Sequence, residues 1–233
     1  MVQVDDFGNI SSIVTVNVTV AAAGITPTVL GRNFTGNNAN TTLSIDMTAH
    51  DGVEQVVVML GALMSGSPPI EVGGTAITLD GETPTAVLRT ATSGSNGPSL
   101  AYAVFAGKAY PSSATLSATG ATTFGMGAQA YGVPADATIA LLDTAQPQTT
   151  RTGSSFTGTI TAGDAVIVGQ QVANGTSGAT ASAGLTIDYE QDIRASNEWF
   201  VAASGGELSA GSFTATISDS GNTATSAIAL RIS

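Results

Sequence analysis

The densest cluster of chemically able side chains is Asp188-Tyr189-Glu190-Gln191-Asp192, with carboxylates at i, i+2 and i+4. Such a set converges on a hard cation such as Ca²⁺ where the backbone turns. On a strand it lines one face instead, and the charges repel unless a cation or Arg194 relieves them. The glycine and distal glutamate of an EF-hand loop are missing. The cluster therefore reads either as a Ca²⁺ site built by Asp188, Glu190 and Asp192 or as a solvated hairpin. Paired carboxylates also serve glycosidases, but that chemistry needs two acids facing a sugar-sized cleft, and aromatics are only 5% of the chain.

The other chemical candidates are isolated. His50 is the single histidine, in Ala49-His50-Asp51-Gly52, and reads as a turn residue after a strand. A nucleophilic triad needs that ring held by an acid and aimed at a nucleophile; the Gly-x-Ser-x-Gly elbow is absent. One histidine also cannot supply a histidine-based zinc site. Gly107-Lys108 lacks the spacing of a phosphate loop, and Gly125-Met126-Gly127 lacks the third glycine of a dinucleotide loop. Both read as strand glycines at points of bending or close packing. Trp199, the only tryptophan, reads as a core residue between two sheets. No catalytic residue is expected, and no cofactor beyond the Ca²⁺ site.

Composition narrows the class further. Six Lys plus Arg against 17 Asp plus Glu give a net charge of -11, and charged residues total 10%, against about 25% in ordinary domains. Such a chain, with Lys108 its one lysine, is a poor match to a nucleic-acid backbone. Cysteine is absent, which excludes disulfides, thiolate metal sites and a cysteine nucleophile. The longest run without a polar side chain, Val56 to Met64, is nine residues, where a spanning helix needs about 20. The acidic start lacks a basic n-region, so neither a membrane nor a signal peptide is expected.

The elements that must position these residues are strands. Val14, Val16, Val18 and Val20 alternate with polar residues; so do Leu43, Ile45 and Met47, then Ala114, Leu116 and Ala118, then Phe213, Ala215 and Ile217. Val56 to Leu60 is continuous and suits a strand covered on both faces. Ile70 to Val72 and Ala76 to Leu79 read as a hairpin around Gly73-Gly74. Glycine-, serine- and proline-rich turns separate nearly every pair. Asp136 to Ala145, the best helix candidate, reads equally well as strand. The chain is therefore expected to be all-β, an antiparallel β-sandwich of jelly-roll type with an N-terminal β-arm. The arm is residues 1–28 and the sandwich residues 29–233. The valine face of the arm (Ile13, Val14, Val16, Val18, Val20) either joins the sandwich or adds to another subunit's sheet.

Three stretches carry a family resemblance: Val72-Gly73-Gly74-Thr75-Ala76-Ile77-Thr78-Leu79; Leu100 to Gly107 followed by Ala114-Thr115-Leu116-Ser117-Ala118-Thr119; and Ala162 to Val168, then Asp188-Tyr189-Glu190 and Phe213-Thr214-Ala215-Thr216-Ile217. From about Thr41 onward the chain resembles β-rich structural proteins of tailed bacteriophages of alphaproteobacteria. The resemblance implies a non-enzymatic virion protein, assembled in the host cytoplasm, a capsid decoration (cement or head-fibre) protein first and a tail-associated one second. It implies the major capsid protein or a tail protein as partner and a homo-oligomer, with trimers frequent in such settings. A carbohydrate-binding or adhesion module, Ca²⁺-dependent through Asp188, Glu190 and Asp192, is the reading from another class.

Overall fold

The computed structural model describes residues 24–36, 42–65, 72–74, 76–90, 96–119, 123–173, 175, 177–182, 184–193 and 198–233. The arm residues Ile13, Val14, Val16, Val18 and Val20 lie outside the described residues, as do Ile70, Glu71 and Arg194. The described chain begins tied down. Ile25 N donates to Gly163 O (2.7 Å), and Glu207 N donates to Ile25 O (2.9 Å), so the body takes in residues just before the first strand.

The first half of the chain builds two antiparallel sheets. A five-stranded sheet runs in the order β1 (Thr28–Thr35), β8 (Thr123–Val133), β3 (Gln55–Ser65), β6 (Asn96–Phe105), β5 (Ala86–Arg89). A three-stranded sheet has β7 (Ser113–Thr119) between β2 (Thr42–Asp46) and β4 (Ala76–Leu79). The strand at Ala76 pairs with β7, while Ile70 and Glu71 of the hairpin expected around Gly73-Gly74 lie outside the described residues.

The second half builds one six-stranded sheet. Its order is β11 (Thr180–Ala181), β14 (Gly211–Ile232), β10 (Ala165–Ala173), β13 (Glu198–Gly205), β12 (Thr186–Asp192), and β9 (Ile139–Ile160) pairs along β14. The candidate helix near Asp136 is a turn followed by β9. At 22 residues each, β9 and β14 would span roughly 70 Å if straight. They double back instead. Phe213, Ala215 and Ile217 of β14 share a core with Ala227 and Ala229 of the same strand, and a β-carbon at Gly158 would collide with Leu142 of β9. The register slips between Ser218 and Thr225, inside the bend, as extra residues in a ladder bend it and increase its twist.

The chain is all-β and its antiparallel sheets pack face to face as a β-sandwich, as the spacing suggests, in four β layers. The three-stranded sheet covers one face of the five-stranded sheet through Leu43, Ile45, Leu79 and Leu116 against Val56, Val58, Leu60 and Phe105. The opposite face meets the six-stranded sheet, with Val57, Met59, Leu100 and Tyr131 against Ile167, Phe200, Ile228 and Leu230. The folded-back half of β9 and β14 then covers the outer face of the six-stranded sheet, with Phe156, Phe213 and Ile217 on Val166, Val168 and Val201. Strands covered on both faces favour apolar side chains at successive positions, which is why β3, the second half of β6 and the start of β10 read as unbroken runs. The strands of the outermost sheet keep the alternation of a half-solvated face. Close approach needs small residues: a β-carbon at Gly31 would lie 2.3 Å from the backbone of Asp46, so β1 and β2 meet backbone to backbone.

Candidate functional site

The acidic cluster sits on β12, and a bulge separates its carboxylates. Ile187 pairs with Ala203 and Tyr189 with Ala202, so the register skips Asp188. One extra residue reverses side-chain parity. Ile187 accordingly packs in the outer core and Tyr189 in the inner one, although they are two residues apart. Asp188 Oδ2 accepts from the buried Tyr131 hydroxyl (2.9 Å). Burial pushes the Asp188 carboxyl above the ordinary carboxylate range, opposed by hydrogen bonds from Ser204 and Tyr131 and by the charge of Arg32. Tyr131 itself is held well above the usual phenol range, first by its burial and then by the Asp188 carboxylate. Glu190 Oε1 faces elsewhere and accepts from Gly178 N (2.7 Å) and Ala179 N (3.2 Å). Asp188 and Glu190 are therefore taken up separately rather than gathered around one point.

Among the described residues the groups close enough to share a cation are His50, Asp51 and Glu54, with ligand atoms within 4.8 Å of one another. Their hydrogen bonds identify a turn clasp. His50 Nδ1 accepts from Gly52 N (3.0 Å), which leaves the proton on Nε2, facing Glu54 O at 3.1 Å. Asp51 Oδ1 accepts from Val53 N (2.8 Å) and Glu54 N (2.9 Å), and these amides hold its carboxyl below the ordinary range. Thr28 Oγ1 donates to Glu54 Oε1 (2.9 Å). A metal would have to displace one of the two ring contacts, so the imidazole serves the turn, as the sequence suggests.

Other singled-out residues are also structural. Lys108 pairs with Glu82 (2.5 Å) and lies over the Tyr110 ring. Gly107, Gly125 and Gly127 are close-packing positions: β-carbons there would meet Val53 O, Ile193 O and the Phe200 side chain. Trp199 departs from expectation. It is half-buried on β13 beside Gly175, with its indole nitrogen buried and unbonded, while Phe200 takes the place between the sheets.

The sequence reading missed a groove at the seam where β1, an edge of the five-stranded sheet, meets β12, an edge of the six-stranded one. About 370 Å³ in volume, it is lined by Arg32, Asn33, Phe34, Tyr189, Glu190 and Gln191. The Arg32 guanidinium donates to Asp188 O (2.6 Å) and lies over the Tyr189 ring at 5.2 Å. Asn33 Nδ2 donates to Ser44 O (2.7 Å), and Asn33 Oδ1 accepts from Phe34 N (2.8 Å). Phe34 is 43% exposed. The available signal was an Arg-Asn-Phe triplet on a strand of a chain with few cations and few aromatics. Arg32 also lines an adjoining depression of about 400 Å³ with Val29, Leu30, Gly31 and Asp46. Comparison with protein-family models, with curated proteins and with solved structures finds no match for the chain.

Proposed function

We propose that the protein is a non-enzymatic structural protein of a tailed-phage virion: a capsid decoration protein of the cement or head-fibre kind, with a tail-associated position as the alternative. The observation that carries the non-enzymatic part is the employment of its acids by the fold. Asp51, Asp143, Asp164 and Glu190 accept from backbone N–H groups, and Asp188 is engaged by Tyr131. Carboxylates that cap backbone donors act as structural links. The virion part rests on the resemblance of the three stretches and on a cysteine-free, lysine-poor composition suited to long exposure. On this reading the partners are the major capsid protein or a tail protein and further copies of the chain, in a homo-oligomer such as a trimer. Ile13, Val14, Val16, Val18 and Val20 supply the docking strand by β-addition.

The test is immunogold microscopy of gradient-purified particles from cultures encoding the chain. Gold on the heads is the expected result. Gold on the tails alone moves the position, and particles that never carry the chain overturn the reading. A chain lacking residues 1–23 keeps the Ile25 ties. It should stay folded and no longer enter particles; normal incorporation would refute the role given to the arm.

A further inference from the structure

The seam groove differs from the rest of the surface in two ways. It carries one of the few large apolar side chains that stand exposed among the described residues, Phe34. It also sets planar polar groups around that ring, and their bonds to the body hold them in place. Arg32 is fixed by the Asp188 carbonyl and the Tyr189 ring, Asn33 by Ser44 O, and Glu190 by two backbone amides. Side chains held in place before binding lose little entropy when a ligand arrives.

The chemistry of the lining selects the ligand. An open aromatic ring favours a flat partner with weakly polar C–H faces. Arg32 donates, Glu190 accepts, and Asn33 and Gln191 do both, which suits a ligand whose own groups both donate and accept, as hydroxyls do. One cation and one anion in the groove, on a chain of net charge -11, give no attraction to a polyanion. An added peptide strand is disfavoured because the backbone N–H of Phe34 is already taken by Asn33 Oδ1. We propose that this groove is a binding subsite for a neutral oligosaccharide, with Phe34 as the stacking platform and Arg32, Asn33, Glu190 and Gln191 as the hydroxyl-bonding groups. The adjoining depression that shares Arg32 extends the site along β1, which favours a chain of sugars over a single one. The site adds to the virion reading without depending on it.

The experiment uses the full chain. Saturation-transfer NMR is run against maltoheptaose, cellohexaose, mannohexaose and galactohexaose, with polygalacturonate oligomers as the acidic set and an extended valine-rich peptide as the strand probe. Titration of ¹⁵N-labelled protein then locates the contact. At least one neutral oligosaccharide should bind, with shifts centred on residues 32–34 and 189–191. Phe34→Ala should weaken it about tenfold, with the protein still folding cooperatively because the ring lies outside the buried core clusters. Glu190→Gln, which keeps shape and removes charge, provides a second variant; it should change the ranking of the sugars while leaving the fold intact. The proposal is overturned if none of the neutral oligosaccharides binds, if the acidic oligomers or the peptide bind in preference, if the shifts fall elsewhere, or if both variants bind as the parent does.

Discussion

The interface between the two large sheets and the cap formed by the three-stranded sheet solve one problem with different materials. Between the large sheets, Met59, Leu100 and Tyr131 interdigitate with Ile167, Phe200, Ile228 and Leu230, and both partners are themselves covered behind. The cap contributes short strands whose inward residues, Leu43, Ile45, Leu79 and Leu116, are buried while their neighbours face water. The difference lies in what each can lose. Opening the interface between the large sheets exposes the centre of the molecule and ends cooperativity. Lifting the cap exposes one face and leaves the ladders of β3, β6 and β8 intact, since its strands make their ladders only with one another.

The most direct way to break that comparison is a matched pair of truncations. Phe200→Ala empties a fully buried site between the large sheets and should cost about 3–5 kcal/mol. Leu79→Ala in the cap should cost about 2–5 kcal/mol, nearer the lower end where the short strands can collapse into the space. Urea unfolding measures both. Native-state hydrogen exchange sharpens the contrast: amides of β2, β4 and β7 should exchange through an opening of lower free energy than those of β3 and β10. Equal exchange free energies in the two sets would mean that the cap is no separate unit.

The same contrast explains what was legible in the sequence. Val56 to Leu60 reads as doubly covered and is; Leu43, Ile45 and Met47 read as half-covered and are. Period and continuity report how many faces a strand buries, which is a local property. Which sheet covers which face is non-local. The doubling back of β9 and β14 depends on register slips in a stretch of Thr, Ser and Gly that carries no apolar period. The acidic cluster was misleading for a related reason: the bulge at Asp188 reverses parity without any mark in the residue types. The groove joins Arg32 to Asp188 across 156 positions, beyond the reach of any spacing argument.

The interface between the large sheets is not uniformly apolar, and this gives a third test. Toward one end stand Gln171, Ser226 and Thr90, joined from the cap-facing side of β6 by Ser99, all buried. Three of them form a network: Thr90 and Ser226 share a hydrogen bond between hydroxyls, Ser99 Oγ donates to Thr90 O (2.6 Å), and Val72 N donates to Ser99 Oγ (2.9 Å). Gln171 is fully buried, yet both polar atoms of its side-chain amide lack a hydrogen-bond partner. A buried polar group without a partner forfeits its hydration, at a cost of about 1–3 kcal/mol. Gln171→Met, of similar shape, should therefore raise stability by about 1–3 kcal/mol, whereas Ser99→Ala should lower it by about 1 kcal/mol. A destabilised Gln171→Met would show that the amide is bonded in solution.

The smallest expected effect lies at the edge of the same interface, where Asp188 is pressed between β12 and Tyr131. Burial raises the pKa of its carboxyl from the ordinary value of 3.8, and the bonds from Ser204 and Tyr131 and the charge of Arg32 only partly offset this. A raised pKa means that the folded chain holds its proton to a higher pH than the unfolded chain does. Between the unfolded and folded values the native state carries more bound protons, so stability falls as pH rises through that window and levels off above it. Asp188→Asn retains a carbonyl oxygen to accept from Tyr131 and removes the titration. Relative to this variant, the parent should lose stability from about pH 4 upward and then run parallel to it, as urea midpoints measured from pH 3 to 8 would record. A parent that gains on the variant with rising pH would mean that Arg32, Ser204 and Tyr131 together outweigh burial. Asp188 would then tie the two sheets together as an ion, and the edge of the interface would depend on charge where its centre depends on packing.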